Sequence, residues 1–215
     1  MTDRLMRHDM LFLTANGISD AKARARFIYP SHDISLVEEL FTQAIPAILS
    51  TQTSGHSLLD VGFSFPAKHG GVRVRAASAV PVGDITHICT PYGVAQKAAI
   101  PALDRLLLLG NDCKIDVGIF GAAALEALTG LEYLTVQSDI DIVIRPKTED
   151  ADITMFWHKA CEISHSCGVK LDIEATCADG FGVKLSELFG SALTVLGKHK
   201  DGAKLLMRDL NIFRR

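Results

Sequence analysis

The stretch from Ile119 to Arg145 restricts the fold of this chain more than any other. Val117 and Ile119 belong to an apolar strand that stops at Gly121. Ala122, Ala123, Ala124, Leu125 and Leu128 then read as a short helix. After a turn, a second strand carries Ser138, Asp139 and Asp141. Side chains alternate faces along a strand, so Asp139 and Asp141 share one face while Ile140, Ile142 and Ile144 pack on the other. Strand rise alone separates the two carboxylates by roughly 6–7 Å. Two like charges against an apolar sheet repel and lose hydration. A divalent cation removes both costs, and magnesium takes oxygen ligands of this kind. Gly121 supplies the other half of the pattern. Backbone N–H groups at a helix start favour phosphate, and glycine lets a phosphate approach the backbone closely. A phosphate cradle beside metal-holding carboxylates is what phosphoryl or nucleotidyl transfer requires.

Bulk properties narrow the alternatives. A chain of 215 residues, 48% hydrophobic and 22% charged, allows one large or two small globular domains. A formal net charge of −3 lacks the basic footprint of a nucleic-acid binder. Asp3, Arg4, Arg7, His8 and Asp9 exclude a secretory signal in the first residues. Apolar runs such as Leu106 to Leu109 are too short to span a bilayer, so no membrane partner is expected. Cys89, Cys113, Cys161, Cys167 and Cys177 form no Cys-x-x-Cys pair and read as thiols of a reducing cytoplasm.

The chain before this stretch reads as β-rich. Met10 to Leu13 forms a short strand, Asn16-Gly17 marks a turn, and Ser19-Asp20 caps a basic segment through Ala25. Ile34, Val37, Leu40, Phe41 and Ala44 follow at helical spacing up to Pro46. Ala47 to Leu49 is a further strand, Ser54-Gly55 a turn, and Leu59, Val61, Phe63 and Phe65 alternate with polar or small residues. Past Gly70-Gly71, Arg73 and Arg75 share a strand face. They and Lys68 either reach a polyphosphate or form an ordinary charged surface. Thr90-Pro91 opens a helical segment that is interrupted at Pro101 and closed by Gly110. A β-rich domain over residues 1–85 and a second domain over 86–215 follow.

Beyond Arg145, Asp150 or Asp152 caps a helix with Ile153, Phe156, Trp157, Ala160 and Ile163 on one face, ending at Gly168. Trp157 and Met155 read as packing residues. Lys170 to Ala175 is a strand with Asp172 and Glu174 on one face and Leu171 and Ile173 on the other. Either acid is placed to be a third metal carboxylate, or the two belong to an exposed strand.

The glycine followed by Asp-x-Asp resembles the nucleotidyltransferase pattern. More narrowly, Ala127 to Leu134 followed by Ser138-Asp139-Ile140-Asp141 resembles the phosphoribosyl-dephospho-CoA transferases of malonate decarboxylase, its holo-acyl-carrier-protein synthases. Arg7 to Leu13, Phe63-Ser64-Phe65-Pro66, Gly182 to Leu188 and Val195-Leu196-Gly197-Lys198 resemble further family segments in the same order.

The resemblance implies an α/β fold of nucleotidyltransferase type, a mixed sheet with packed helices behind a smaller β-rich domain. It implies magnesium on Asp139, Asp141 and a third acid, with Glu174 preferred over Asp172. It also implies donor contacts from Gly121, Ala122, Ser138 and Lys198. The donor would be triphosphoribosyl-dephospho-CoA, and the partner the apo acyl-carrier subunit of malonate decarboxylase. An ATP-dependent nucleotidyltransferase would share the acids. Ala122 stands where the family has serine, which points either to weakened phosphate binding or to an impaired binding module.

Overall fold

The computed structural model describes residues 5–27, 41, 44–53, 57–69 and 71–214. The expected helix between Ile34 and Ala44 and the Ser54-Gly55 turn lie outside these residues, apart from Phe41 and Ala44. The chain divides into two compact units. The first comprises residues 1–90 together with Thr129–Tyr133, and the second comprises Pro91–Leu128 and Leu134–Arg215.

The first unit is built on an antiparallel sheet. Its strands are β1 (Met10–Leu13), β2 (Arg26–Phe27), β3 (Ala47–Leu49), β4 (Leu58–His69), β5 (Val72–Pro81) and β6 (Ile85–Cys89), in the order β2-β5-β4-β3-β1-β6. The alternation of Leu59, Val61, Phe63 and Phe65 puts these side chains into one core with Leu11, Phe41, Val74, Ala76 and Val80. The register of β4 against β5 shifts between Ser64 and Lys68, around Pro66, which has no N–H to give a ladder. Asn16-Gly17 is no turn between elements: both residues lie inside the Ala15–Arg24 helix. Its cap is Thr14, whose hydroxyl accepts from Gly17 N and donates to Asp84 at 2.6 Å. The threonine overrides the local turn preference because it satisfies a first-turn N–H.

The second unit has a mixed sheet of β7 (Ile115–Ile119), β8 (Ile140–Pro146), β9 (Leu171–Thr176), β10 (Gly182–Lys184), β11 (Thr194–His199) and β12 (Gly202–Met207), neighbours in that order. Only β8 and β9 run parallel, joined by the Ile153–Cys167 helix. Asp152 caps this helix, accepting from Met155 N at 2.8 Å, and Gly168 ends it in the left-handed region. Ile142 and Ile144 are fully buried, as are Phe156 and Ala160 of the helix. Trp157 stacks on Phe189, with ring centroids 5.7 Å apart. Gly110 does not close the Pro101–Asp112 helix but lies within it. A β-carbon there would stand 2.6 Å from Val117 Cγ2 and 2.8 Å from the Ile115 carbonyl, so the glycine lets the helix lie close on β7. The mixed α/β class and the two-part organisation agree with the sequence reading. No helix among the described residues is long and apolar enough to cross a membrane.

Candidate functional site

The site grows from the end of β7. Phe120 N donates to the Asp141 carbonyl at 3.0 Å, which fixes the strand end against β8. Gly121 follows with φ +63° and opens the Gly121–Thr129 helix, anchored by buried Ala123, Ala124 and Leu125. A β-carbon on Gly121 would lie 2.0 Å from Asp141 Oδ2. Both backbone conformation and space therefore require glycine, and the half-buried Asp141 carboxylate lies across its α-carbon. A carboxylate at a helix start is stabilised by the partial positive charge there.

Strand register brings the next acids in. Asp141 pairs with Asp172 and Val143 with Glu174 across the parallel β8–β9 ladder, so all four side chains leave the same face. On the other side of β9, Lys184 pairs with Glu174. Its ammonium nevertheless reaches along the strand to Asp172, donating to Oδ2 at 2.5 Å. That hydrogen bond, with help from the charges of Glu187 and Asp141, raises the Lys184 pKa above its ordinary value despite some burial. Glu174 runs the other way and is only 7% exposed. It lies over Gly182, where a β-carbon would stand 2.1 Å from Oε1. Burial pushes the nearby Cys177 thiol up to about 12, with smaller contributions from the charges of Asp179 and Glu174, so it is no nucleophile.

Asp139 precedes β8 instead of lying on it, and its side chain is 54% exposed with Lys170 Nζ 4.0 Å from Oδ1. Ser138 closes a turn: its hydroxyl accepts from Thr135 N at 2.9 Å and its own N–H donates to the Thr135 carbonyl. Ala122 is half-buried in the first helical turn. Lys198 is exposed on β11, opposite Gly182. Arg73 and Arg75 belong to the first unit. Arg73 donates to the Tyr133 carbonyl at 2.5 Å and sits 4.8 Å over its ring, while Arg75 is exposed. Burial raises the Tyr133 hydroxyl to about 12, and that hydroxyl donates to the Ser64 carbonyl.

Asp141 and Asp172 are thus brought side by side at the Gly121 helix start, with Glu174 one residue pair further along and Asp139 outside the strand. Among the described residues no three acids, histidines or cysteines are arranged as a ready metal cage. The oxygen donors suit magnesium, and the Gly121 cradle admits a carboxylate, but Lys184 holds one of the two paired acids. Lys184 and Gly182 stand in the sequence reading only as part of the family-like segment Gly182 to Leu188, with no site role assigned to either. Their signal was the Gly182-x-Lys184 spacing after a strand with two acids on one face.

Paired carboxylates on parallel strands beside a glycine-opened helix define a class of site suited to phosphate esters. Comparison with known proteins narrows the class. Residues 6–91 match the family model described as the phosphoribosyl-dephospho-CoA transferase MdcG N-terminal domain, and residues 87–209 match its C-terminal domain. A phosphoribosyl-dephospho-CoA transferase of Bradyrhizobium diazoefficiens is 30% identical over 159 residues, covering 71% of this chain and 70% of that protein. One of Xanthomonas axonopodis pv. citri is 28% identical over 181 residues, covering 80% and 83%. One of Xanthomonas campestris pv. campestris is 26% identical over 211 residues, covering 94% of each. No solved structure matches. The chain belongs to the phosphoribosyl-dephospho-CoA transferase family and is an enzyme of the transferase class.

Proposed function

We propose that this chain transfers the 2′-(5″-phosphoribosyl)-3′-dephospho-CoA group from its triphosphoribosyl precursor to a serine of the apo acyl-carrier protein of malonate decarboxylase, releasing pyrophosphate. The observation that carries the reading is the lateral pair Asp141–Asp172 beside the start of the Gly121 helix, in a chain of this family. In this reading magnesium, when bound, neutralises the donor's phosphates and the charge that develops on the entering and leaving oxygens. Asp141 and Asp172 are its best-placed protein ligands, with Asp139 and Glu174 as the alternatives on either side. The N–H groups at the head of the Gly121–Thr129 helix orient the outer phosphates. The serine oxygen forms a bond to the α-phosphorus, the bond from that phosphorus to the bridging oxygen breaks, and pyrophosphate leaves. A carboxylate of the cluster takes the serine proton. The free described cysteines support a reducing cytoplasm as the working compartment.

The test is intact-mass measurement of the apo carrier after incubation with enzyme, magnesium and donor. A mass gain equal to the prosthetic group is expected, and it is lost with Asp141→Ala. A gain with ATP in place of the donor would indicate a nucleotidyltransferase of other specificity. Ala122 favours one second reading, a copy with weakened turnover that still binds its ligands. Ala122→Ser is expected to raise the transfer rate about tenfold, the worth of one charge-assisted hydrogen bond to phosphate. An unchanged rate counts against a limiting hydroxyl.

A further inference from the structure

Lys184 stands where a cation would compete with a metal. Three acids, Asp141, Asp172 and Glu174, leave one face of two adjacent strands, and Lys184 faces them from β10. By register its nearest partner is Glu174, yet Glu174 is turned over Gly182 and the ammonium bonds Asp172. The Lys184–Asp172 pair is partly solvated, with side chains 39% and 32% exposed, so opening it costs far less than breaking a buried pair. Lys184 also precedes the Leu185–Leu188 helix without capping it through its side chain. Its four-carbon stem lets the ammonium swing between neighbouring anions. Asp172, which this ammonium bonds, is paired across the β8–β9 ladder with Asp141, and Asp141 lies across Gly121, so the ammonium stands one strand from the acid at the Gly121 helix start.

We propose that Lys184 is the resident counter-cation of the site: it holds Asp172 until metal and donor arrive, then exchanges that carboxylate for a donor phosphate oxygen. The inference rests on the reading under Proposed function and assigns Lys184 as a substrate-binding residue that holds the leaving pyrophosphate. No covalent step is involved; one ion pair opens as another closes.

Manganese and pyrophosphate binding test it without carrier or turnover. Manganese affinity is measured by electron paramagnetic resonance, and pyrophosphate affinity by calorimetry at saturating manganese. Lys184→Met is expected to bind manganese alone about tenfold more tightly and to bind pyrophosphate with manganese about tenfold more weakly, each change the equivalent of one charged hydrogen bond. Lys184→Arg keeps the competing charge and is expected to hold both affinities within about threefold of the natural protein. If Lys184→Met lowers only the melting temperature, the pair is a structural bridge and the exchange is overturned. Should Lys184→Met fail to fold, Lys184→Gln takes its place with the same expected opposition of the two affinities. Natural protein that takes up no manganese with or without pyrophosphate overturns the metal reading itself, and the exchange with it.

Discussion

Two glycines in the second unit do the same steric job with different consequences. Gly121 and Gly182 each leave room for a carboxylate that a β-carbon would strike, at 2.0 Å for Asp141 and 2.1 Å for Glu174. Gly121 is also held at φ +63° at a helix start, where the carboxylate meets a positive dipole end and stays half-exposed. Gly182 is ordinary strand, and the acid over it is buried in the sheet face. The space cleared beside a helix start leaves its acid half-exposed; the same space in a ladder keeps its acid buried. Position relative to the helix terminus, not the presence of an acid, separates Asp141 from Glu174.

Gly121→Ala strikes this comparison hardest. The new methyl displaces Asp141 and forces alanine into the left-handed region, so the transfer rate is expected to fall about 100-fold, the scale of an ångström-sized misplacement. Steady-state kinetics on folded protein checks it, and a loss under threefold breaks the distinction drawn here. Gly182→Ala is expected to act on stability instead. Moving the Glu174 carboxylate should cost about 2 kcal/mol in urea unfolding while the rate falls less than tenfold. A larger rate loss than that of Gly121→Ala would reverse the roles assigned to Asp141 and Glu174.

Asp9 extends the contrast as a buried acid of the first unit. It is 2% exposed and accepts from Met6 N at 2.8 Å. Burial pushes its carboxyl up from 3.8 to about 6, with the Met6 hydrogen bond opposing. The folded protein thus binds this proton more tightly than the unfolded chain does. Its contribution to stability is complete below pH 3.8 and is lost as pH rises through about 6. Asp9→Asn keeps an acceptor for Met6 N and removes the ionisation. Its melting temperature is expected to exceed that of the natural protein by a few degrees at pH 7 and by nothing at pH 4. Equal differences at both pH values would show that Asp9 is not held protonated by burial.

Local rules carried part of this architecture into view. Gly121 and the acids after it, the Asp152 cap, the Gly168 stop and the alternation of Leu59 to Phe65 depend on neighbours within a few residues. What escaped depends on ladders. The Lys184–Asp172 bond joins strands whose register no local pattern states, and only the β8–β9 ladder shows that Asp172, and not Glu174, is the lateral partner of Asp141. Arg73 looked as available as Arg75 until Tyr133, 60 positions away in sequence, was found to engage it. Gly110 had the position of a helix stop, and only packing on β7 reveals why it is there.

Crystals grown with manganese and pyrophosphate give the most direct test of the central claim. An anomalous difference map should show an ion between Asp141 and Asp172, with pyrophosphate at the N–H groups that head the Gly121–Thr129 helix. An ion seated on Glu174 without Asp141, or density only on the exposed side by Asp139 and Lys170, would contradict the site described here.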